Sequence, residues 1–283
     1  MNKFVPDGLG WQPDLPDPLD YEPGIETIAK MLEGLPPTKL RPERADWREY
    51  CDEVTDQQWL RASSAHACLG LIQYFERRAN GHLIEPSAMF VYKRARHLAG
   101  CEGNSAVGLR TTLKAIARYG APPDHCWPYE PDRFDEEPEG FLYSYSRKFQ
   151  SLCYLRLDGR GRAGEEVLET VLSFLAAGFP CVFGFPVFNS LSNEAEIPCP
   201  TNFDRVRGGQ AVMAVGYDDN RRYRSVRGTL LIRNSWGRGW GDRGYGHLPY
   251  AYASSGLARD FWTVLDSEWL ASGEFRRPAE LTA

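Results

Sequence analysis

A serine and a histidine stand three residues apart at the start of one amphipathic segment, at Ser63 and His66. Side chains at positions i and i+3 are neighbours on a helix surface, so the imidazole could accept the proton of the hydroxyl. A pair of this kind would support acyl transfer or hydrolysis. A histidine that is packed or hydrogen-bonded inside the fold is the commoner reason for such a residue, and the sequence alone leaves both interpretations open.

A second pattern is a stretch rich in glycine and tryptophan that follows an apolar segment. It reads Asn234-Ser-Trp-Gly-Arg-Gly-Trp-Gly-Asp-Arg-Gly-Tyr245. Its glycines can adopt backbone conformations that other residues resist. On composition alone, this stretch is a stiff, aromatic-packed turn that sets Trp236 and Trp240 against the end of a strand.

Hydrophobic periodicity predicts the elements that must position these residues. The clearest helix covers 63–80, with Ser63 or Ser64 as its cap, Gly81 as its end and Cys68 on its core face. Further helices are predicted over 24–35, 87–99, 108–119 and 165–177, a loop over 122–145, and short strands over 181–188, 211–217, 228–233 and 245–248. A helix-rich first half and a strand-rich second half indicate an α+β arrangement in two lobes.

The composition is that of an ordinary globular protein. The 283 residues carry a net charge of −5, with 42% hydrophobic and 25% charged residues, which excludes collagen-like, coiled-coil and wholly disordered chains. The slight acidity argues against a nucleic-acid partner, and no apolar run reaches the ~18 residues that a membrane span needs.

The cysteines and histidines give no metal-site or phosphate-loop spacing, so we expect no metal and no cofactor. The seven cysteines include no Cys-x-x-Cys pair. Because we also see no signal peptide, we expect reduced thiols and a cytoplasmic location.

Four segments of the chain resemble the papain-like cysteine peptidases. The stretch from Asn234 to Tyr245 has the form of the family hallmark, and Ala45-Asp-Trp-Arg-Glu49 resembles the start of the mature domain. The segment Asp56-Gln-Gln-Trp-Leu-Arg-Ala-Ser-Ser-Ala65 resembles the Gln…Cys segment that opens a helix. Trp11-Gln-Pro-Asp-Leu-Pro-Asp-Pro-Leu-Asp-Tyr21 resembles an extension common in bacterial members, and the likeness covers roughly residues 10–255.

The resemblance implies a papain-like, two-lobed α+β fold with a helical left lobe and a β-barrel-like right lobe. We accordingly predict an N-terminal extension over 1–43, a papain-like domain over 44–260 and a C-terminal tail over 261–283. Within the domain, the helical lobe is predicted over about 44–160 and the β-rich lobe over about 161–260.

The resemblance also assigns the family's catalytic positions. A thiolate at a helix N-terminus, a histidine base, an asparagine that orients it and an oxyanion-binding glutamine are the parts that the chemistry needs. The glutamine falls on Gln57 and the asparagine on Asn234, but the cysteine position is Ser63 and the histidine position is Gln210. An amide side chain cannot accept a proton at physiological pH, and loss of a nucleophile–base pair costs on the order of a million-fold in turnover. We therefore interpret the triad as degenerate.

The residues that flank these positions also depart from the family pattern, which favours natural divergence over a single engineered change. Gln58 stands where a glycine usually follows the oxyanion glutamine, and Arg61 stands in the usual Gly-Ser before the nucleophile. We expect both bulkier side chains to narrow the cleft. The resemblance further implies backbone pairing of a bound peptide at Gly209 and a wall formed by Trp236.

Three functions follow as hypotheses. In the leading one, the chain is an inactive peptidase homologue that binds a peptide or protein partner in the cleft between the lobes. In the second, Ser63 and a non-standard base such as His66 perform another acyl transfer, cyclisation or hydrolysis, with Gln57 and Asn234. In the third, the protein is structural, and Arg61, Gln58 or the N-terminal arm fills the cleft.

Overall fold

The computed structural model describes residues 8–15, 17–31, 41–81, 85–146, 152–223 and 226–276. Its helices are α1 (Glu26–Met31), α2 (Ser63–Asn80), α3 (Ala88–Ala99), α4 (Leu109–Tyr119), α5 (Gly140–Tyr145), α6 (Gly164–Ala176), α7 (Ala251–Ser254) and α8 (Ser267–Ala271). Its strands are β1 (Arg44–Asp46), β2 (Cys153–Arg156), β3 (Cys181–Phe188), β4 (Val206–Tyr223), β5 (Val226–Arg233), β6 (Tyr245–Pro249) and β7 (Arg259–Leu265).

Helix α2 is the central helix, and its bounds match the predicted ones. Its apolar residues include Cys68, which is fully buried. The helix ends at Gly81, whose φ of 67° places it in the left-handed region that glycine adopts without strain. The predicted serine cap is wrong, because Ala62 precedes the helix without a side-chain cap and the Ser64 hydroxyl donates instead to the carbonyl of Val107.

The strands form one antiparallel sheet in the order β2-β7-β3-β4-β5-β6, with β1 paired to β4. The expected barrel is therefore not closed. Side chains of β4 alternate between the two faces, as a strand dictates. Ala211 and Met213 pack into the core that contains α2, whereas Val212 and Ala214 pack into the core that contains α6 and α7.

Several elements extend across the predicted boundaries. Strand β7 crosses the expected domain end at residue 260, and the expected tail continues as α8, where Trp269 stacks on Phe75 at a ring separation of 5.1 Å. Trp269 and Phe275 therefore belong to the hydrophobic core, while 277–283 lie outside the described residues. The loop predicted over 122–145 contains α5 and two 3₁₀ turns, and the helix predicted over 24–35 is described only as α1, since 32–40 lie outside the described residues.

The sheet also joins residues on both sides of the predicted division into lobes at about residue 160. Strands β1 and β2 precede that point, yet they pair with β4 and β7. A short strand without strong alternation is hard to recognise from sequence when its partner lies far along the chain. Among the residues that the structure describes, no helix has both the length and the apolarity to cross a bilayer.

Candidate functional site

The four positions to which the resemblance assigns catalytic roles lie together where α2 meets the sheet. Ser63 begins α2, Gln57 precedes it by six residues, Gln210 lies on β4, and Asn234 follows the end of β5. All four side chains are buried. Since the helix and the sheet supply residues far apart in sequence, the fold rather than the local sequence brings them together.

Three amide side chains and a serine form a hydrogen-bonded cluster at this site. Gln210 Nε2 donates to Gln57 Oε1 at 2.8 Å and to Asn234 Oδ1 at 2.9 Å. The Ser235 hydroxyl also donates to Gln57 Oε1, at 2.6 Å. Gln210 thus bridges the glutamine and asparagine positions with a neutral amide, which neither accepts nor releases a proton.

Both N–H donors of the Gln57 side chain already have acceptors within the chain. Its Nε2 donates to the backbone carbonyl oxygen of Gly8 at 2.6 Å and to that of Leu60 at 2.9 Å. A primary amide has two N–H donors, so both are in use. An incoming carbonyl oxygen could reach this group only if the contact with Gly8 were broken.

Ser63 is inaccessible, with 0% of its surface exposed. Its hydroxyl oxygen accepts a hydrogen bond from the backbone N–H of Ala211 at 3.2 Å. Within the described part of the chain, no imidazole nitrogen is hydrogen-bonded to this hydroxyl.

The proposed pair of Ser63 and His66 does not form. His66 Nδ1 is hydrogen-bonded to the Thr55 hydroxyl at 2.9 Å, and its ring packs edge-on against Tyr129. Its Nε2 is buried and has no hydrogen-bond partner among the described residues. Burial, with a contribution from Arg233, lowers the pKa of His66 to about 3, so the ring is neutral and structural.

The N-terminal arm, which we define as residues 8–15, enters the cleft over these buried residues. The backbone N–H of Trp11 donates to the Gly209 carbonyl at 3.0 Å, and the Gly8 carbonyl contacts Gln57. The Trp11 side chain is only 7% exposed. The arm therefore pairs with the sheet at Gly209, the position where the resemblance implies that a peptide would pair.

Two contacts of the chain hold the arm beyond the cleft. The Asp14 N–H donates to Asp260 Oδ2 at 2.8 Å, and the Arg110 N–H, in the first turn of α4, donates to Asp14 Oδ2 at 2.9 Å. The Arg110 guanidinium binds Asp20 through Nε and Nη2, at 2.7 and 2.6 Å. These bonds anchor the arm to two separate elements.

Gln58 and Arg61, whose side chains were expected to narrow the cleft, meet the arm through their backbone. Both are exposed, and the surface that meets the arm consists of backbone carbonyls. Gln58 adopts a φ of 52°, a left-handed conformation that costs about 1–2 kcal/mol for a residue other than glycine. Gln58, the strained residue, stands at the position where the resemblance expects a glycine.

Trp236 lies beside the cluster. Asp56 and Trp236 form an isolated β-bridge, and Trp236 packs edge-on against Trp240 at a ring separation of 5.3 Å. The glycine-rich turn that follows Asn234 thus packs two aromatic rings against each other, as its composition suggested.

Sequence reasoning did not single out the residues Gly8, Leu9, Gly10 and Trp11 as occupants of the cleft. The arm was considered only as one of several possible plugs. The available signal was the spacing of two glycines before a tryptophan in a segment otherwise rich in proline and aspartate. That signal cannot be interpreted without the backbone surface that it faces.

In proteins of the papain type, the N-terminal end of a helix meets an antiparallel sheet across a cleft. A glutamine, a nucleophile position and an asparagine lie between the helix and the sheet, as they do in this chain. The family model for papain family cysteine proteases matches residues 41–263. The chain therefore belongs to the papain family of cysteine proteases.

Relatives in sequence and structure agree with this placement. An uncharacterized peptidase C1-like protein of Acanthamoeba polyphaga mimivirus is 32% identical over 218 residues, covering 74% of this chain and 68% of the relative. Papain of Carica papaya is 25% identical, with 72% of this chain and 54% of papain covered, so the chain spans about half the length of papain. The crystal structure of xylellain, a cysteine protease from Xylella fastidiosa, superposes with a TM-score of 0.74 at 29% identity, covering 92% of this chain and 96% of xylellain.

Proposed function

We propose that this protein is a non-catalytic member of the papain family that binds a peptide or protein partner in its cleft and that its own N-terminal arm occupies the cleft until the partner displaces it. The observation that carries the proposal is the seating of the arm at Gly209 and Gln57 over a buried Ser63. The site thus holds a stretch of backbone next to a serine and an amide rather than a thiol and an imidazole.

The chemistry of the site argues against cleavage. A serine hydroxyl needs a strong base before it attacks a carbonyl, and the position beside Ser63 on β4 is the amide Gln210. His66 is bonded to Thr55 and is neutral at physiological pH, which disfavours the repurposed enzyme that would use it as a base.

The geometry suits peptide binding. Strand-like hydrogen bonds to a backbone carbonyl provide affinity that does not depend on the side chains of the partner. Gly209 and Gln57 supply one acceptor and one donor to the arm. A partner peptide that makes the same bonds would compete with the arm for the cleft.

The test of the non-catalytic assignment is an activity assay on the 283-residue chain. Incubation with peptide libraries and with activity-based thiol probes is expected to give no turnover and no labelling that depends on Ser63. The matched control is Ser63→Ala. Measurable turnover that disappears in this variant would refute the non-catalytic assignment.

A structural role with a permanently filled cleft is the second candidate, and the anchoring of Asp14 and Asp20 to α4 favours it. Hydrogen exchange of the arm distinguishes the two. A displaceable arm exchanges its amides by local opening at free energies below that of global unfolding, whereas a permanent plug exchanges only on global unfolding.

A further inference from the structure

We propose that the cleft selects peptides of the pattern Gly-x-Gly-Trp, so that a partner carrying this pattern in a segment that adopts the backbone conformation of the arm replaces the arm. The proposal rests on the proposed function and adds the chemical identity of the partner. It is carried by the backbone surface that faces Gly8, Gly10 and Trp11.

The first glycine is required by both conformation and space. Gly8 has a φ of 70°, and a Cβ built there would overlap the carbonyl oxygen of Leu60 and lie 2.9 Å from that of Gln58. Its own carbonyl oxygen receives the hydrogen bond from Gln57. Any larger residue would be strained and would also push this carbonyl away from its donor.

The second glycine faces a wall of main chain. A Cβ on Gly10 would overlap the carbonyl oxygen and carbon of Arg61. This wall cannot move easily, because the Arg61 N–H donates to Asn104 Oδ1 at 2.8 Å and α2 begins two residues later. The backbone must therefore exclude a side chain at this position rather than adapt to it.

The side chain of Trp11 packs against two glycines of the sheet. A Cβ on Gly184, in β3, would overlap the indole ring of Trp11, and a Cβ on Gly209, in β4, would lie 2.6 Å from its Cε3. These strands are paired in the sheet. Each therefore has a residue without a side chain at the place where the flat indole ring lies. The Trp11 N–H donates to Gly209 at the same place.

The residue between the glycines is less restricted. Leu9 is only partly buried and packs over Gly208, where a Cβ would lie 2.8 Å from its Cδ1. Gln12, which follows the tryptophan, is exposed. Selection therefore falls on the first, third and fourth residues of the pattern.

The experiment measures binding of a fluorescent seven-residue peptide with the sequence of residues 8–14 to the full-length chain carrying Trp11→Ala, which loosens the arm. Peptide variants Gly8→Ala, Gly10→Ala and Trp11→Ala are expected to bind roughly tenfold to a hundredfold more weakly. The peptide variant Gln12→Ala is the matched control and is expected to bind within about twofold of the parent peptide.

Two results would overturn the selectivity, and they differ from the result that would overturn the proposed function. If the parent and glycine-substituted peptides bind alike, the cleft binds peptides without the proposed pattern. If a folded chain with an exchanging arm binds no peptide at all, the proposed function fails and this inference fails with it.

If the chain with Trp11→Ala does not fold, amide exchange in a chain that keeps Trp11 still tests the proposal. Gly10→Ala in the full-length chain is expected to speed amide exchange of residues 8–15 by roughly tenfold or more, whereas Gln12→Ala leaves it unchanged. Equal exchange in both variants would show that the main-chain wall does not exclude a side chain.

Discussion

Replacement of Trp11 by alanine tests how strongly the cleft holds the arm. A tryptophan buries roughly 150–250 Å², which corresponds to about 4–6 kcal/mol at ~25 cal/mol per Å². Trp11 is 7% exposed, so nearly all of this area counts. Its buried indole Nε1 has no hydrogen-bond partner among the described residues, which offsets about 1–3 kcal/mol. The net contribution is about 3 kcal/mol.

This contribution predicts a change in the opening of the arm. A loss of about 3 kcal/mol raises the equilibrium constant for opening by roughly 150-fold. Amide hydrogen exchange of residues 8–15, followed by mass spectrometry under native conditions, measures that change. Residues of α2 serve as an internal reference, because they exchange through wider unfolding.

Trp11→Phe is the matched control. Phenylalanine keeps an aromatic ring at this position and removes the unpartnered N–H, so the arm is expected to stay closed about as well as in the wild type. The reasoning would be refuted if Trp11→Ala left the exchange of residues 8–15 unchanged, or if both variants loosened the arm equally.

Three further predictions concern strain, pH and chemistry. Gln58→Gly is expected to raise the free energy of unfolding by about 1 kcal/mol, since glycine adopts the left-handed φ of 52° without strain. Urea unfolding compares this variant with Gln58→Ala, and equal stabilities of the two variants would contradict the prediction. Burial raises the pKa of Asp260 to about 7 from an ordinary 3.8; the Asp14 and Asp158 carboxylates add to the rise, and the Asp14 N–H and the Arg156 guanidinium oppose it. The folded state therefore holds a proton that the unfolded state loses, and this group's share of stability falls as the pH rises from about 4 to about 7. Asp260→Asn, which keeps a side chain tolerant of the local φ of 58°, is expected to flatten the fall in urea midpoint between pH 5 and pH 7, and an unchanged slope would sink the assignment. Finally, in a Trp11→Ala background, Ser63→Cys with Gln210→His is expected to alkylate with iodoacetamide faster at neutral pH than Ser63→Cys alone, because an adjacent imidazolium stabilises a thiolate; equal rates would show that the β4 position does not reach the nucleophile position.

Helices α2, α3, α4 and α6 and strand β3 were predictable because their signals are local. The apolar spacing of 63–80 and the left-handed glycine after it define α2 within the segment itself, and the run 181–188 is apolar along its whole length. The order and spacing of the motifs around Gln57, Ser63 and Asn234 were likewise readable, since each motif is contiguous.

The partner of each polar group could not be predicted in this way. Ser63 receives a hydrogen bond from Ala211, Gln57 receives one from Gln210, and Gly8 accepts one from Gln57. Strand β7 was missed for the same reason, because its pairing partners β2 and β3 lie about 75 to 110 residues earlier.

The amino-acid sequence alone thus determined which chemical groups the site could contain: a hydroxyl at Ser63 and an amide at Gln210, the positions to which the resemblance assigns a thiol nucleophile and an imidazole base. Only the tertiary structure decided what those groups contact, that His66 pairs with Thr55 instead of Ser63, and that Trp11 lies on Gly184 and Gly209. The physical reason is that side-chain identity sets acidity and hydrogen-bonding capacity, whereas close packing of segments distant along the chain sets which of those capacities are used.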